Sequence, residues 1–187
     1  MKIYRAIRTN KVSQRFGENV EWYKSFNIGL NNGHNGWDFS AAIGEPIYWD
    51  CDIKGMVLNT EMDSRGGLGV NVISEDGTQI FKHRFWHLQR FACIAGQVLE
   101  SGDLIGYADN TGLSTRSHLH RDIKPMYSVN GKYEVMFPQN GWLGCVDLEP
   151  YFTNTFILDL MENLKTQVSI ITQMIEIIKK ILSLKIG

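Results

Sequence analysis

The stretch Leu104-Ile105-Gly106-Tyr107-Ala108-Asp109-Asn110-Thr111-Gly112-Leu113-Ser114-Thr115-Arg116-Ser117-His118-Leu119-His120-Arg121-Asp122-Ile123 reads as strand, turn, strand. Leu104–Tyr107 and Ser117–Ile123 are the extended pieces. Asp109-Asn110-Thr111-Gly112 between them carries short polar side chains that bond their own backbone, and a glycine free to take positive φ. The same pattern runs outward. Glu45–Trp49, Gly55–Asn59, Val70–Ser74, Gln79–Leu88 and Gln97–Leu99 are candidate strands, separated by Arg65-Gly66-Gly67, Glu75-Asp76-Gly77 and Ser101-Gly102-Asp103. Short strands with glycine-bearing turns predict a mainly β domain, an antiparallel sandwich or barrel-like body. The sequence holds no internal repeat and no low-complexity linker.

A chain of 187 residues fits one domain with a tail, able to bury roughly 70% of its unfolded surface. The formal net charge is −1, with no long run of one sign, which argues against electrostatic capture of nucleic acid. Cys51, Cys93 and Cys145 are odd in number, widely spaced and form no C-x-x-C; they read as buried or free thiols rather than a disulfide framework. Met1–Arg8 lacks the apolar core of a secretion signal. Ile170–Ile186 is the most apolar stretch, but Gln173, Glu176, Lys179, Lys180 and Lys185 interrupt it, too polar for a transmembrane segment. The expectation is a soluble protein made in the cytoplasm.

After Pro150 the character changes. Thr153-Asn154-Thr155 offers an N-cap, and a helical pattern runs from there to the end, dividing the chain into 1–152 and 153–187. Ile157, Met161, Leu164, Val168, Ile171, Ile175, Ile178 and Leu182 recur in steps of four and three, a coiled-coil seam. Such a helix, ~45 Å long at 1.5 Å per residue, is too long to hide its stripe on a small β domain. Packing back on its own domain, lying on a membrane and self-association are the three readings; isoleucine at both seam positions favours self-association into a homo-oligomer of three or more.

The chemistry-bearing residues are histidines. On a strand His118 and His120 share one face, ~6–7 Å apart, so one imidazole can hold a metal while the other touches what the metal activates. Upstream, His34-Asn35-Gly36-Trp37-Asp38 sits in a poor helix former and reads as a loop entering a strand at Trp37. His34, Asp38 and His120 together offer two neutral nitrogens and one carboxylate, a ligand set for catalytic zinc. His87 ends the long Gln79–Leu88 strand. His83, four residues earlier and on the same face in an unbroken strand, reads as a surface or groove-rim residue.

The order His34-x-x-x-Asp38, aromatic-x-His87-Leu88, His118-x-His120 resembles the lysostaphin-type (LytM-like) zinc metalloendopeptidases that cut peptidoglycan peptides. Gln14-Arg15-Phe16-Gly17, Gly44-Glu45-Pro46-Ile47-Tyr48, Gly102-Asp103-Leu104-Ile105-Gly106, Asn110-Thr111-Gly112 and Val146-Asp147-Leu148-Glu149-Pro150-Tyr151 agree with it in order, so the resemblance covers about Val12 to Tyr151. It implies the duplicated hybrid β motif of that family, zinc held by His34, Asp38 and His120, His118 as general base, and His87 stabilising the oxyanion or protonating the leaving amine. It also implies peptidoglycan stem or cross-bridge peptides as substrate, and action at the cell wall after phage delivery, holin release or unusual export, an endolysin-like role. Arg116 and Arg121 depart from the family pattern. Strand alternation turns Arg121 away from the metal, toward Asp122 or another acid. The alternatives are an inactive peptidoglycan-binding or hydrolase-activating protein and a virion structural protein of the same fold. Such members lose a ligand or a catalytic histidine, and this chain keeps every position.

Overall fold

The computed structural model describes residues 1–184. In chain order they form β1 (Ile3–Arg5), β2 (Val12–Gln14), α1 (Val20–Lys24), β3 (Trp37–Ser40), β4 (Pro46–Tyr48), β5 (Gly55–Asp63), β6 (Gly67–Glu75), β7 (Ile80–Phe91), β8 (Val98–Leu99), β9 (Leu104–Ala108), β10 (His118–Val129), β11 (Lys132–Val135), a 3-10 turn (Glu149–Tyr151), β12 (Phe152–Phe156) and α2 (Ile157–Leu184).

The architecture is the mainly β body expected. One antiparallel sheet runs β2-β3-β10-β7-β6-β5-β8, with β11 folded back on β10 and a β4–β9 pair joined to the far end of β7. Its two longest strands, β7 and β10, lie side by side, with Trp86 opposite His120 and Arg84 opposite Asp122. Asn130-Gly131 closes the β10–β11 hairpin with both residues at positive φ, as a two-residue turn matched to strand twist requires. Trp37, Phe39, Trp49, Phe85, Leu119 and Ile123 fill the core. All three cysteines are free and buried.

The C-terminal segment begins differently from the expected cap at 153–155. Phe152-Thr153-Asn154-Thr155-Phe156 is a strand, paired in parallel with β1. β-Branched threonines favour the extended backbone. Phe152 stacks near Trp37 and Phe39, while Phe156 faces Tyr48, so packing overrides the capping signal. The helix starts at Ile157, which is itself buried; from Glu162 to Leu182 every residue is exposed. Lys185 and the expected helical end of the chain lie outside the described residues. Among the described residues no helix is long and apolar enough to cross a membrane.

Candidate metal centre and its groove

Asp38 and His120 are direct cross-strand partners in the β3–β10 pair. His34 reaches them from the preceding loop, whose backbone is tied at both ends: His34 N–H donates to the Glu18 carbonyl, and its own carbonyl accepts from Gly17. Gly36 allows the loop to lie flat on β10. A Cβ there would stand 2.6 Å from the Arg121 carbonyl oxygen and 2.9 Å from His120 Cε1, closer than any side chain tolerates.

The structure brings one ligand atom each of His34, Asp38 and His120 within 4.8 Å of one another. His34 Nε2 lies 2.9 Å from His120 Nδ1, and Asp38 Oδ1 lies 3.2 and 3.0 Å from those two nitrogens. The outward ring nitrogens are already spoken for. His34 Nδ1 faces the Arg15 carbonyl at 3.2 Å and His120 Nε2 faces Asp122 Oδ2 at 3.0 Å; both partners only accept, so both outward nitrogens carry the hydrogen. That turns the inner nitrogens of both rings and the carboxylate toward one another, an arrangement that a proton or a metal ion can hold together. The donor chemistry fits zinc, with its oxygen and nitrogen ligands and oriented imidazoles.

Proton affinities show the same crowding. Burial opposes charge on Asp38, but hydrogen bonds from His120 and His34 hold its carboxyl well below the usual range. Burial pushes His120 down; Asp122 and Asp38 outweigh it and lift the imidazole to about 9. His34 is lowered by burial, with the His120 charge adding to that effect. A proton on His120 is thus the competitor that a metal ion displaces.

His118 and His87 complete the cluster. His118 Nδ1 lies 2.8 Å from the Arg116 carbonyl, and its Nε2 lies 3.5 Å from Asp38 Oδ1. His87 Nδ1 lies 2.7 Å from the Thr111 carbonyl, and the two rings are 4.4 Å apart. Each therefore donates through Nδ1, which leaves Nε2 as the atom that can exchange a proton. Burial, with the nearby His120 and His118 charges, lowers His87 to about 4, so it rests neutral. His34, Asp38, His87, His118 and His120 all line one open groove of about 760 Å³, together with Tyr23, Trp22 and Arg84.

His83 is a correction. It is wholly buried, not on a groove rim. On β7, Phe81, His83 and Phe85 face the core, and an unbroken strand would send His87 there too. His87 instead has φ 63°, the left-handed region that only a clamped non-glycine residue occupies. Its N–H donates to the Gly66 carbonyl and its carbonyl accepts from Asp109. The kink re-aims His87 into the groove while His83 stays inside, held by Ser74 Oγ at 2.7 Å and Arg121 at 2.7 Å. Arg121 does turn away from the metal centre, but its acid is Asp50, met by two hydrogen bonds of 3.0 Å. Asp50, Cys51 and His83 also lie close enough to suggest metal ligands; the Arg121 guanidinium already supplies the positive charge there.

Sequence reading missed Asp122, Arg84 and Tyr23. Asp122 shares a strand face with His120, and that period-two relation is the signal for it. Tyr23 stacks on His34 with ring centres 5.4 Å apart, and nothing in the local sequence places α1 over the site.

A family model described as "Peptidase family M23" matches residues 32–133, a span that includes the five clustered residues. The glycyl-glycine endopeptidase ALE-1 of Staphylococcus capitis is 34% identical over 101 residues, 52% of this chain and 26% of that protein. The peptidoglycan DD-endopeptidase ShyA of Vibrio cholerae is 37% identical over 90 residues, 48% of this chain and 20% of that protein. The chain thus matches about a quarter or less of these relatives' length. A crystal structure of a zinc-containing peptidase from Vibrio cholerae shares the fold, with a TM-score of 0.55 and 22% identity over 72% of this chain and 39% of that one. With more than half of its length matched and the motif order intact, the chain belongs to peptidase family M23, in the lysostaphin-type, LytM-like group.

Proposed function

We propose that this chain is a zinc-dependent endopeptidase that hydrolyses peptide bonds in the stem or cross-bridge of bacterial peptidoglycan. The observation that carries the reading is the convergence of His34 Nε2, Asp38 Oδ1 and His120 Nδ1 within 3.2 Å of one another, beside two more imidazoles on one open groove. Zinc bound by those three atoms supplies a Lewis acid that acidifies water and polarises a carbonyl. The substrate class comes from the relatives, which are named as endopeptidases, one of them for peptidoglycan.

His118 is the general base. Its Nδ1–H is held by the Arg116 carbonyl, so Nε2 takes the proton of the attacking water. His87 starts neutral, so it becomes a donor only after the proton that His118 took from water passes to it, the two rings being 4.4 Å apart. It then steadies the developing negative oxygen or protonates the leaving amine. Burial raises the Tyr23 hydroxyl above its ordinary range, keeping it a hydrogen-bond donor in the same groove.

Zinc content and release of new amino termini from purified cell walls test the reading. Zinc-loaded protein that binds walls yet releases no termini would favour the inactive binding, hydrolase-activating or virion structural role. Retention of His34, Asp38, His87, His118 and His120 in one cluster supports activity.

The C-terminal helix is a self-association segment in this reading, separate from the peptidase body. Leu164, Val168, Ile171, Ile175, Ile178 and Leu182 are 45–62% exposed and keep a 3.5-residue repeat. A straight helix drifts about 20° per heptad against such a repeat, whereas supercoiling around further copies holds the stripe in contact.

A further inference from the structure

We infer that Asp122, itself held by Arg84, is the positioning residue that makes Nδ1 of His120 a metal ligand. This rests on the metal site proposed above. Asp122 is fully buried, and its two carboxylate oxygens divide their work: Oδ1 accepts from Arg84 Nε at 2.7 Å and Oδ2 faces His120 Nε2 at 3.0 Å. The Cys145 thiol adds a contact to Oδ1 at 3.4 Å.

The arrangement is built into the sheet. Arg84 and Asp122 are direct partners across β7 and β10, and Asn71 of β6 is the next partner of Arg84. His120 and Asp122, two residues apart, share a face, so the carboxylate meets the imidazole on the side opposite Asp38 and His34. Because a carboxylate only accepts, it selects the ring form with hydrogen on Nε2 and turns the Nδ1 lone pair toward the other ligands. For His34 the Arg15 carbonyl does the equivalent work from the backbone. His120 is thus the ligand whose outward hydrogen bond goes to a side chain, and Arg84, with its side chain 15% exposed, keeps that side chain in place from the groove wall.

Asp122→Asn tests this. The amide has one acceptor oxygen where the carboxylate has two, so its NH2 must oppose either Arg84 or His120. Zinc affinity, measured by chelator competition, is expected to fall about 10- to 100-fold. The cobalt-substituted protein is expected to show a changed visible absorption. In Arg84→Gln/Asp122→Asn the glutamine oxygen takes the amide NH2 and frees the asparagine oxygen for His120, without leaving a buried charge unpaired. That double variant should recover at least tenfold in affinity and the wild-type cobalt spectrum. Wild-type affinity in Asp122→Asn, or a double variant that folds with no recovery, overturns the inference. A wild-type protein that binds no zinc overturns the metal site itself, a separate result.

Discussion

Replacing Arg121 by methionine isolates a buried ion pair, Arg121–Asp50, on the core side of the strand that carries His120. Arg121 and Asp50 are each 1% exposed and share two hydrogen bonds of 3.0 Å. The same guanidinium donates to His83 and to the Asp122 carbonyl, and it lies over the Phe85 ring. Methionine fills much of the space but strands the Asp50 carboxylate, which keeps only the Cys51 thiol at 3.6 Å. Removing one partner of such a pair costs about 3–5 kcal/mol. In a chain of this size each kcal/mol moves Tm by about 2–4 °C, so a drop of about 6–20 °C is expected by calorimetry on the metal-free protein. Arg121→Met/Asp50→Leu removes the stranded charge and should recover at least half of that loss; the lost donations to His83 and to the Asp122 carbonyl account for the remainder. Zinc content of the folded single variant should match wild type, because Arg121 points away from His34, Asp38 and His120. A single variant costing under about 1 kcal/mol, or a double variant no more stable than the single, would refute the account.

Asp38→Ala should lose zinc, while His118→Ala, outside the three converging atoms, should keep zinc and lose turnover; equal metal loss in both sinks the assignment of roles. His87 takes up a proton near pH 4 in the fold and near 6.5 when unfolded. The unfolded chain therefore protonates first, and stability present above about pH 6.5 is lost as pH falls toward 4. The shift corresponds to about 3 kcal/mol. Metal-free His87→Leu should show a shallower acid loss of Tm by about that amount, and parallel pH curves would contradict it. Gly36→Ala should lower both Tm and zinc affinity, since its Cβ would strike the Arg121 carbonyl and His120; unchanged zinc titrations would show that the loop does not press on β10. Ile171→Lys/Ile178→Lys should reduce the particle mass in sedimentation to that of one chain, and a wild-type protein that is already monomeric rejects the coiled-coil reading.

Much of the body was legible because its cues are local. Glycine-bearing turns marked the start of β7 and the approach to β10. The Asn130-Gly131 hairpin lies beyond the expected Ser117–Ile123 strand, which the structure extends to Val129. The site was legible as a residue order, His34 to Asp38 to His87 to His118 to His120, since cross-strand register places residues far apart in sequence side by side. What stayed hidden depends on tertiary partners. β12 carries a fair helix cap and becomes a strand because β1 pairs with it and Trp37 receives Phe152. The acid that matches Arg121 lies 71 positions away, beyond any pattern in the local sequence.

His87 and His83 show why the most chemical part of the site escapes a periodic reading. Strict alternation assigns both to one face, and the core partners Ser74 and Arg121 make that the inner face. A regular β7 would therefore bury His87 away from His118. The left-handed turn at His87 costs of order 1–3 kcal/mol and persists only where its surroundings impose it. Here the Gly66 carbonyl and the Asp109 N–H clamp it from two turns. Gly66 must itself lack a side chain, because a Cβ there would stand 2.5 Å from the Trp86 ring. The glycine that reads as an ordinary turn residue is thus a condition for a histidine in the groove. Local rules fail at this point because two flanking turns, not the period of the strand, set the direction of this side chain.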